Sequence, residues 1–169
     1  MLDNTLIQEI SNQYTKKRGI TAAVLRLDLL HPVVSGNKIY KLKYYIEKAL
    51  NQEKEEIVSF GGAHSNHLVA TAFVAKENGL KSIGYVRGER PPQFSDTLLD
   101  CEYYGMELKF TQREKFDALQ IDCEESNKPE SLIIPYGGYG RTGALGAKEI
   151  LAFNEAGNYN IIMASAGSG

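Results

Sequence analysis

The sequence has 169 residues, of which 43% are hydrophobic and 24% charged, the proportions of an ordinary globular protein. Nineteen basic and twenty-one acidic residues give a net charge of -2, so we expect no general attraction to nucleic acid or to an anionic membrane. The longest almost wholly apolar stretch, Leu68 to Ala75, is much shorter than the roughly 20 residues of a membrane span, and no secretory signal is evident, which predicts a cytoplasmic protein.

From Thr21 onward the sequence alternates short apolar runs with longer helical patterns, as strands and helices in turn would do. Strands are predicted at residues 22–27, 56–60, 81–86, 106–110, 132–135 and 159–164, and helices at 3–18, at about 37–52 and from the turn after residue 60 to about 79. The helix at 37–52 has the clearest pattern, with one apolar face formed by Leu42, Tyr45, Ile46, Ala49 and Leu50. The charged segment 112–129 predicts a solvated helix and loop, and residues 87–92 predict a surface turn. The alternation predicts parallel βαβ units and therefore an α/β fold.

A lysine-containing segment, SGNKIYK at 35–41, begins the helix predicted from about residue 37. A helix N-terminus carries partial positive charge and disfavours cations, yet Lys38 and Lys41 lie in or near its first turn. A partly desolvated lysine in that field has a lowered pKa, as a nucleophile that forms Schiff bases requires. The alternative is a solvated basic turn with both lysines on one exposed face.

A second segment, FGGAHSNH at 60–67, connects a predicted strand to a predicted helix. Two glycines permit close approach of a ligand, and Ser65, Asn66 and His67 follow the carboxyl end of a parallel strand, where open α/β sheets bind ligands. The alternative is a tight turn with a helix cap at Ser65 or Asn66. His64 and His67 are not predicted to bind metal, because no third ligand of suitable spacing is evident.

A third segment, YGGYGRTG at 136–143, also lies between a predicted strand and a predicted helix. Gly138, Gly140 and Gly143 match the dinucleotide-binding pattern GxGxxG, so a dinucleotide-binding oxidoreductase using Gly138 to Gly143 is an alternative function. That pattern also requires an acidic residue about 20 positions on, whereas the next predicted strand ends at Ala164. A glycine-rich turn that packs a helix against a sheet explains the segment equally well.

The sequence ends at Gly167, Ser168 and Gly169, directly after the predicted strand 159–164. The backbone N–H groups of such a loop can bind phosphate where a helix follows, and a flexible tail is the alternative. Because a helix would normally follow here, the ending predicts a truncated polypeptide.

Cys101 and Cys123 form no CxxC motif and are predicted to be free thiols.

The segments GNKIYKL (36–42), GGAHSNH (61–67) with ATA (70–72), and GSG (167–169) together resemble one family of pyridoxal-phosphate enzymes. This family contains 1-aminocyclopropane-1-carboxylate (ACC) deaminase and D-cysteine desulfhydrase. The resemblance extends over most of the chain from Leu25 onward, and the first two motifs, about 25 residues apart, are highly specific. It implies the tryptophan-synthase-β-like fold (fold type II), an α/β fold with open, twisted, mainly parallel sheets and flanking helices. The second half of the larger domain would be missing.

The resemblance also implies roles for individual residues. Lys38 would form the Schiff base with pyridoxal 5'-phosphate, and Asn66 would bind the 3-hydroxyl oxygen of the cofactor. Ser65, Asn66 and His67 would hold the substrate carboxylate, and Ser65 would lie close to the reacting atoms. The phosphate-binding loop would begin at Gly167, Ser168 and Gly169.

Two positions depart from the family pattern. Family members often have glutamine at the position of His67, and commonly have arginine at the position of Tyr40. Any contact from that arginine is therefore lost, and His67 stands in the place of the glutamine, whereas the Schiff-base lysine is retained.

The family's organisation implies two domains and a homodimer. Residues 1–41 and 132–169 would belong to the larger cofactor-binding domain, and 42–131 to a smaller α/β domain. The implied reaction converts ACC to 2-oxobutanoate and ammonia, or D-cysteine to pyruvate, hydrogen sulfide and ammonia. A truncated, non-catalytic fragment of such an enzyme is the other alternative.

Overall fold

The computed structural model describes residues 7–126, 128–152 and 159–164. Its strands and helices are, in chain order, β1 Ile7–Ile10, α1 Gln13–Arg18, β2 Ala22–Leu25, α2 Lys38–Asn51, β3 Glu56–Gly61, α3 Asn66–Glu77, β4 Lys81–Arg87, α4 Asp96–Tyr103, β5 Met106–Thr111, α5 Arg113–Glu125, β6 Ser131–Ile134 and α6 Arg141–Ala152. Short 3-10 turns lie at Leu27–Leu29 and Tyr136–Gly138.

Four of the strands form a parallel sheet in the order β5-β4-β3-β6, whereas β1 and β2 form a separate antiparallel pair. Side chains of β3 alternate between the two faces of the sheet. Ile57 packs with α2 and α3 on one face, and Phe60 meets the ring of Phe116 in α5 on the other. The predicted α/β class and parallel strand pairing are confirmed.

Helix α2 is amphipathic as predicted, with Leu42, Tyr45, Ile46 and Ala49 buried. Leu50, the fifth residue of the predicted face, is exposed in the last turn. On another side, α2 packs closely against α6. A side chain at Gly146 of α6 would overlap the carbonyl of Tyr40.

The predicted helix at 3–18 is wrong in its first part, since Ile7–Ile10 is a strand and the helix begins only at Gln13. Asn12 starts the helix because its side chain accepts hydrogen bonds from the N–H groups of Tyr14 and Thr15, while its own N–H donates to the Thr15 hydroxyl. This reciprocal capping box defines an N-terminus. The residues before it instead pair with β2, and β2 itself ends at Leu25, before the predicted boundary of 27.

The strand predicted at 159–164 is also wrong. These residues have no regular secondary structure, and the side chains of Ile161, Ile162 and Met163 are exposed. An apolar run becomes a strand only where a neighbouring strand takes up its backbone hydrogen bonds, and none of the strands in the described part of the chain pairs with this segment.

The division into domains at 41/42 and 131/132 stays a prediction, and β6 lies in the same sheet as β3 to β5.

The contact between α2 and α6 predicts a large effect at Gly146. Gly146→Ala should lower the free energy of unfolding by about 1–3 kcal/mol, because the new methyl group forces the two helix backbones apart. Urea denaturation measures the change. Gly62→Ala is the matched control, since an added Cβ there meets nothing within 4 Å; equal stability of the two variants would contradict the close packing.

Candidate functional site

Lys38 is the first residue of α2, directly after Gly36 and Asn37. Gly36 has a φ of 66°, a left-handed conformation that suits glycine. The Lys38 ammonium donates a hydrogen bond of 2.9 Å to Oδ1 of Asn37. Burial, followed by the charge of Lys41, lowers the pKa of Lys38. Lys38 is therefore a half-buried lysine held at a defined position.

The turn between β3 and α3 carries the second predicted group of residues. Ser65 is the N-cap of α3, and its hydroxyl accepts a hydrogen bond of 3.4 Å from the N–H of Leu68. Asn66 follows it in the first helical turn and is exposed. Gly61 has no room for a side chain, because an added Cβ would lie 2.6 Å from the Ser65 hydroxyl oxygen. Ser65 therefore caps α3, as the alternative interpretation of this turn predicts.

Helix α4 supports the same turn from the neighbouring strand. Ser95, the N-cap of α4, donates its hydroxyl proton to the carbonyl of Ala63. Ser95 follows β4, which pairs with β3, so the connection joins the loops after two adjacent strands. It holds the 61–65 backbone where the turn approaches α3.

His67 lies in the first turn of α3 but is buried, with 3% of its surface exposed. Its Nε2 is 3.0 Å from the hydroxyl oxygen of Ser59 in β3, and that hydroxyl donates to the carbonyl of Ile134 at the end of β6 over 3.1 Å. Nδ1 is buried and has no hydrogen-bond partner among the described residues. Burial, and then the charges of Lys38 and Lys41, lower the pKa of His67 to about 3, so the ring is neutral near pH 7.

The turn after β6 completes this edge of the sheet. The Lys41 ammonium donates to the carbonyl of Gly137 over 3.2 Å. A Cβ on Gly138 would lie 3.4 Å from Cε1 of His67 and 3.6 Å from Cβ of Lys41, so the backbone here packs directly on both side chains. A cleft of about 460 Å³ opens beside them, lined by Lys41, Gly138, Tyr139, Gly140, Arg141, Ala144 and Ala147.

The glycines that match the dinucleotide pattern lie in this turn and in α6. A side chain at Gly143 would overlap the carbonyl of Gly138, so these two residues allow α6 to begin directly against the turn. Close packing therefore accounts for glycine at 143, and the left-handed φ of 66° accounts for glycine at 138.

The structure brings together the two main groups of predicted residues. β3 and β6 are adjacent, so the turns after them lie side by side at the carboxyl edge of the sheet. Lys38, at the start of α2, is close enough for its charge to act on His67, and Lys41 contacts the turn after β6. Gly167, Ser168 and Gly169 lie outside the described residues. Among the residues described, no cluster of His, Cys, Asp and Glu could hold a metal ion.

Sequence reasoning missed Ser59, which connects His67 to β6. The available signal was a single serine inside the apolar strand EIVSFG, since a buried hydroxyl needs a hydrogen-bond partner. Tyr40, which stands where the family commonly has arginine, is buried, and its hydroxyl has no hydrogen-bond partner in the described part of the chain.

Comparison with known proteins identifies relatives in sequence, although no family model matches the chain. A Pyrococcus horikoshii protein provisionally named 1-aminocyclopropane-1-carboxylate deaminase is 31% identical over 177 aligned positions, covering 98% of this chain and 53% of that protein. A Thermotoga maritima protein with the same provisional name is 32% identical and covers 78% and 44%. A D-cysteine desulfhydrase from Klebsiella pneumoniae is 28% identical and covers 75% and 41%. The chain thus spans about half the length of the curated relatives it matches.

Comparison with solved structures finds proteins of the same kind as these sequence relatives. The crystal structure of an ACC deaminase homologue superposes with a TM-score of 0.68 at 27% identity, covering 90% of this chain and 49% of that one. A hydrogen sulfide-producing enzyme from Fusobacterium nucleatum gives a TM-score of 0.58 at 18% identity, covering 78% and 42%, which shows likeness of fold alone. The predicted fold is confirmed as part of the fold of the ACC deaminase homologues.

The low pKa of His67 predicts how stability depends on pH. Unfolding raises this pKa from about 3 to the ordinary value of roughly 6.5, so between these values the unfolded chain binds a proton that the folded chain does not. The contribution of His67 should therefore weaken as pH falls, by about 2 kcal/mol from pH 7 to pH 5. His67→Gln removes this contribution, and urea denaturation at both pH values measures the difference.

His64→Gln is the control for this experiment, because His64 is exposed in the same turn. The control should keep the pH dependence of the unchanged protein. If His67→Gln keeps it as well, His67 is not buried in its neutral form.

Proposed function

The chain belongs to the family that contains ACC deaminase and D-cysteine desulfhydrase, and from this premise we propose that it carries the Schiff-base lysine of a pyridoxal-phosphate enzyme. The observation that carries the proposal is the position of Lys38, a half-buried lysine of lowered pKa beside a glycine-containing turn at the carboxyl edge of a parallel sheet. Few surface lysines meet these conditions, since most are solvated.

The residues present fit this cofactor. An amine attacks an aldehyde only when it is unprotonated, and burial of Lys38 favours that form. Asn66 is exposed at the first turn of α3, so its amide is available to a ring oxygen. Gly62 leaves open space where a side chain would stand. The buried Nδ1 of His67 is a polar atom still without a partner in the described part of the chain.

When bound, pyridoxal 5'-phosphate supplies an electron sink for carbanionic chemistry at an amino acid. The chain's own residues would bind and orient the reactants. Lys38 would hold the cofactor and then serve as the base for a proton of the substrate. Asn66 would donate to the 3-hydroxyl oxygen of the cofactor, and the phosphate contacts of Gly167, Ser168 and Gly169 belong to the same proposal.

The substrate would be a small amino acid whose carboxylate meets the start of α3. Ser65 and Asn66 lie there, where the positive end of the helix favours an anion, and Ser65 would also lie near the reacting atoms. The family resemblance also predicts a contact from His67, whose ring is buried below the start of the helix. The candidate reactions are hydrolytic conversion of ACC to 2-oxobutanoate and ammonia, and of D-cysteine to pyruvate, hydrogen sulfide and ammonia.

The proposal also includes a cytoplasmic homodimer without nucleic-acid or membrane partners. The near-neutral charge of the chain supports the absence of nucleic acid. In the described part of the chain, no helix has the length and apolar character of a transmembrane segment. The homodimer rests on the family resemblance.

The proposal predicts a covalent adduct on Lys38. Purified protein is mixed with pyridoxal phosphate, reduced with borohydride and examined by intact mass and peptide mapping. The unchanged protein should gain one adduct on Lys38, and Lys38→Ala should lose it. Lys48→Ala is the matched control, because Lys48 is exposed on the same helix. An adduct that persists in Lys38→Ala would contradict the assignment, as would no adduct on the unchanged protein.

A second prediction concerns Asn66. Asn66→Ala should raise the Kd for pyridoxal phosphate about tenfold, the effect of losing one hydrogen bond to a charged oxygen. Absorbance titration measures the Kd. His64→Ala, which alters an exposed residue of the same turn, should leave it unchanged, and a Kd of Asn66→Ala equal to that control would remove Asn66 from the site.

A further inference from the structure

A buried polar chain runs beneath the candidate site, from His67 through Ser59 to the carbonyl of Ile134. We propose that Ser59 and His67 are positioning residues: Ser59 holds His67 as the neutral tautomer with its proton on Nε2, and the pair fixes the start of α3 against the ends of β3 and β6. The inference deepens the proposed function, because it concerns the turn that would hold the cofactor and substrate.

The direction of the hydrogen bonds follows from the number of protons. A serine hydroxyl has one proton, and that of Ser59 is donated to the Ile134 carbonyl. The hydroxyl oxygen can then only accept from His67. Nε2 of His67, 3.0 Å away, must therefore carry a proton, and in a neutral ring Nδ1 then carries none.

The pair connects the three elements that form this edge of the sheet. Ser59 belongs to β3, Ile134 is the last residue of β6, and His67 is the second residue of α3. Ser65 and Asn66 directly precede His67 in the chain. A fixed imidazole ring therefore also restricts the positions of these two residues. A buried polar network with fixed directions specifies one arrangement of its elements.

Burial of the ring, and then the charges around it, favour its neutral form. Lys38 and Lys41 of α2 both act on His67, and a protonated ring would add a third positive charge in a buried place. Gly138, from the turn after β6, closes the Cε1 side of the ring. Ser59 and Ile134 contribute only uncharged groups.

The unprotonated Nδ1 has a chemical consequence for ligands. It is a buried hydrogen-bond acceptor, so any group that it meets must supply an N–H or O–H proton. It cannot donate to a carboxylate. The carboxylate of a substrate is accordingly left to Ser65, Asn66 and the N–H groups of α3.

The first test is the protonation of the ring in the unchanged protein, measured by long-range proton–nitrogen NMR without cofactor. His67 should show a protonated Nε2 and an unprotonated Nδ1 at pH 8 and at pH 5. His31 is an internal reference, because its Nδ1 accepts from the N–H groups of Val33 and Val34, and His67→Gln assigns the signal. A proton on Nδ1 at either pH would overturn the proposal.

The second test separates positioning from general stability. Ser59→Ala removes the acceptor of His67, and the amide resonances of Ser65 and Asn66 should shift. Ser82→Ala is the matched control, because Ser82 is a buried serine on the adjacent strand β4, and it should leave those resonances in place. Unchanged resonances in folded Ser59→Ala would overturn the positioning role.

The third readout is the Kd for pyridoxal phosphate. It should rise about tenfold in Ser59→Ala and stay unchanged in Ser82→Ala. His67→Gln should restore most of the affinity lost on His67→Ala, because a glutamine amide can still donate to Ser59. An affinity of Ser59→Ala equal to that of Ser82→Ala would overturn the proposal. Absence of cofactor binding to the unchanged protein would instead contradict the proposed function. The two NMR experiments would still test the positioning role of Ser59 and His67, because they need no cofactor.

Discussion

Parallel pairing of β3 with both β4 and β6 is the constraint on which the candidate site depends. Because the three strands run in one direction, the turns that follow them meet at one edge of the sheet. The α3 turn, the Ser95 loop and the Gly137–Gly138 backbone are thereby brought into contact. α2 is packed on the same face of the sheet as α3, and its first residue, Lys38, reaches that edge. A change of strand order would separate these groups, although each segment kept its local structure.

This edge carries an electrostatic cost that the fold partly offsets. Two lysines near the N-terminus of α2 oppose the helix dipole, and both act on a buried histidine. The Asn37 side chain and the Gly137 carbonyl accept hydrogen bonds from Lys38 and Lys41, and His67 avoids a third charge by staying neutral. Charges are seldom concentrated in this way for stability alone, and pKa values shifted by burial and by a neighbouring charge, as that of Lys38 is, are frequent at sites that bind or react. The cost is therefore consistent with a chemical role for Lys38.

Much of the fold was predictable because it depends on local patterns. The apolar face of α2 and the short β-rich runs 56–60, 81–86 and 106–110 indicated their elements correctly, and the glycine motifs located the turns between strand and helix. The errors arose where distant residues decide the outcome. Ile7–Ile10 is a strand because β2 pairs with it, and residues 159–164 form no strand because none of the described strands pairs with them. The Ser59–Ile134 hydrogen bond depends on the register of β3 against β6, which a single sequence does not reveal.

The central claim is that Lys38 and the α3 turn form one cofactor site at the carboxyl edge of the sheet. A crystal structure of the protein after reaction with pyridoxal phosphate and borohydride tests it most directly. The account predicts density for the pyridine ring continuous with Nζ of Lys38, with its 3-hydroxyl oxygen beside Asn66. Cofactor density attached elsewhere, or a ring on Lys38 that points away from the α3 turn, would contradict it.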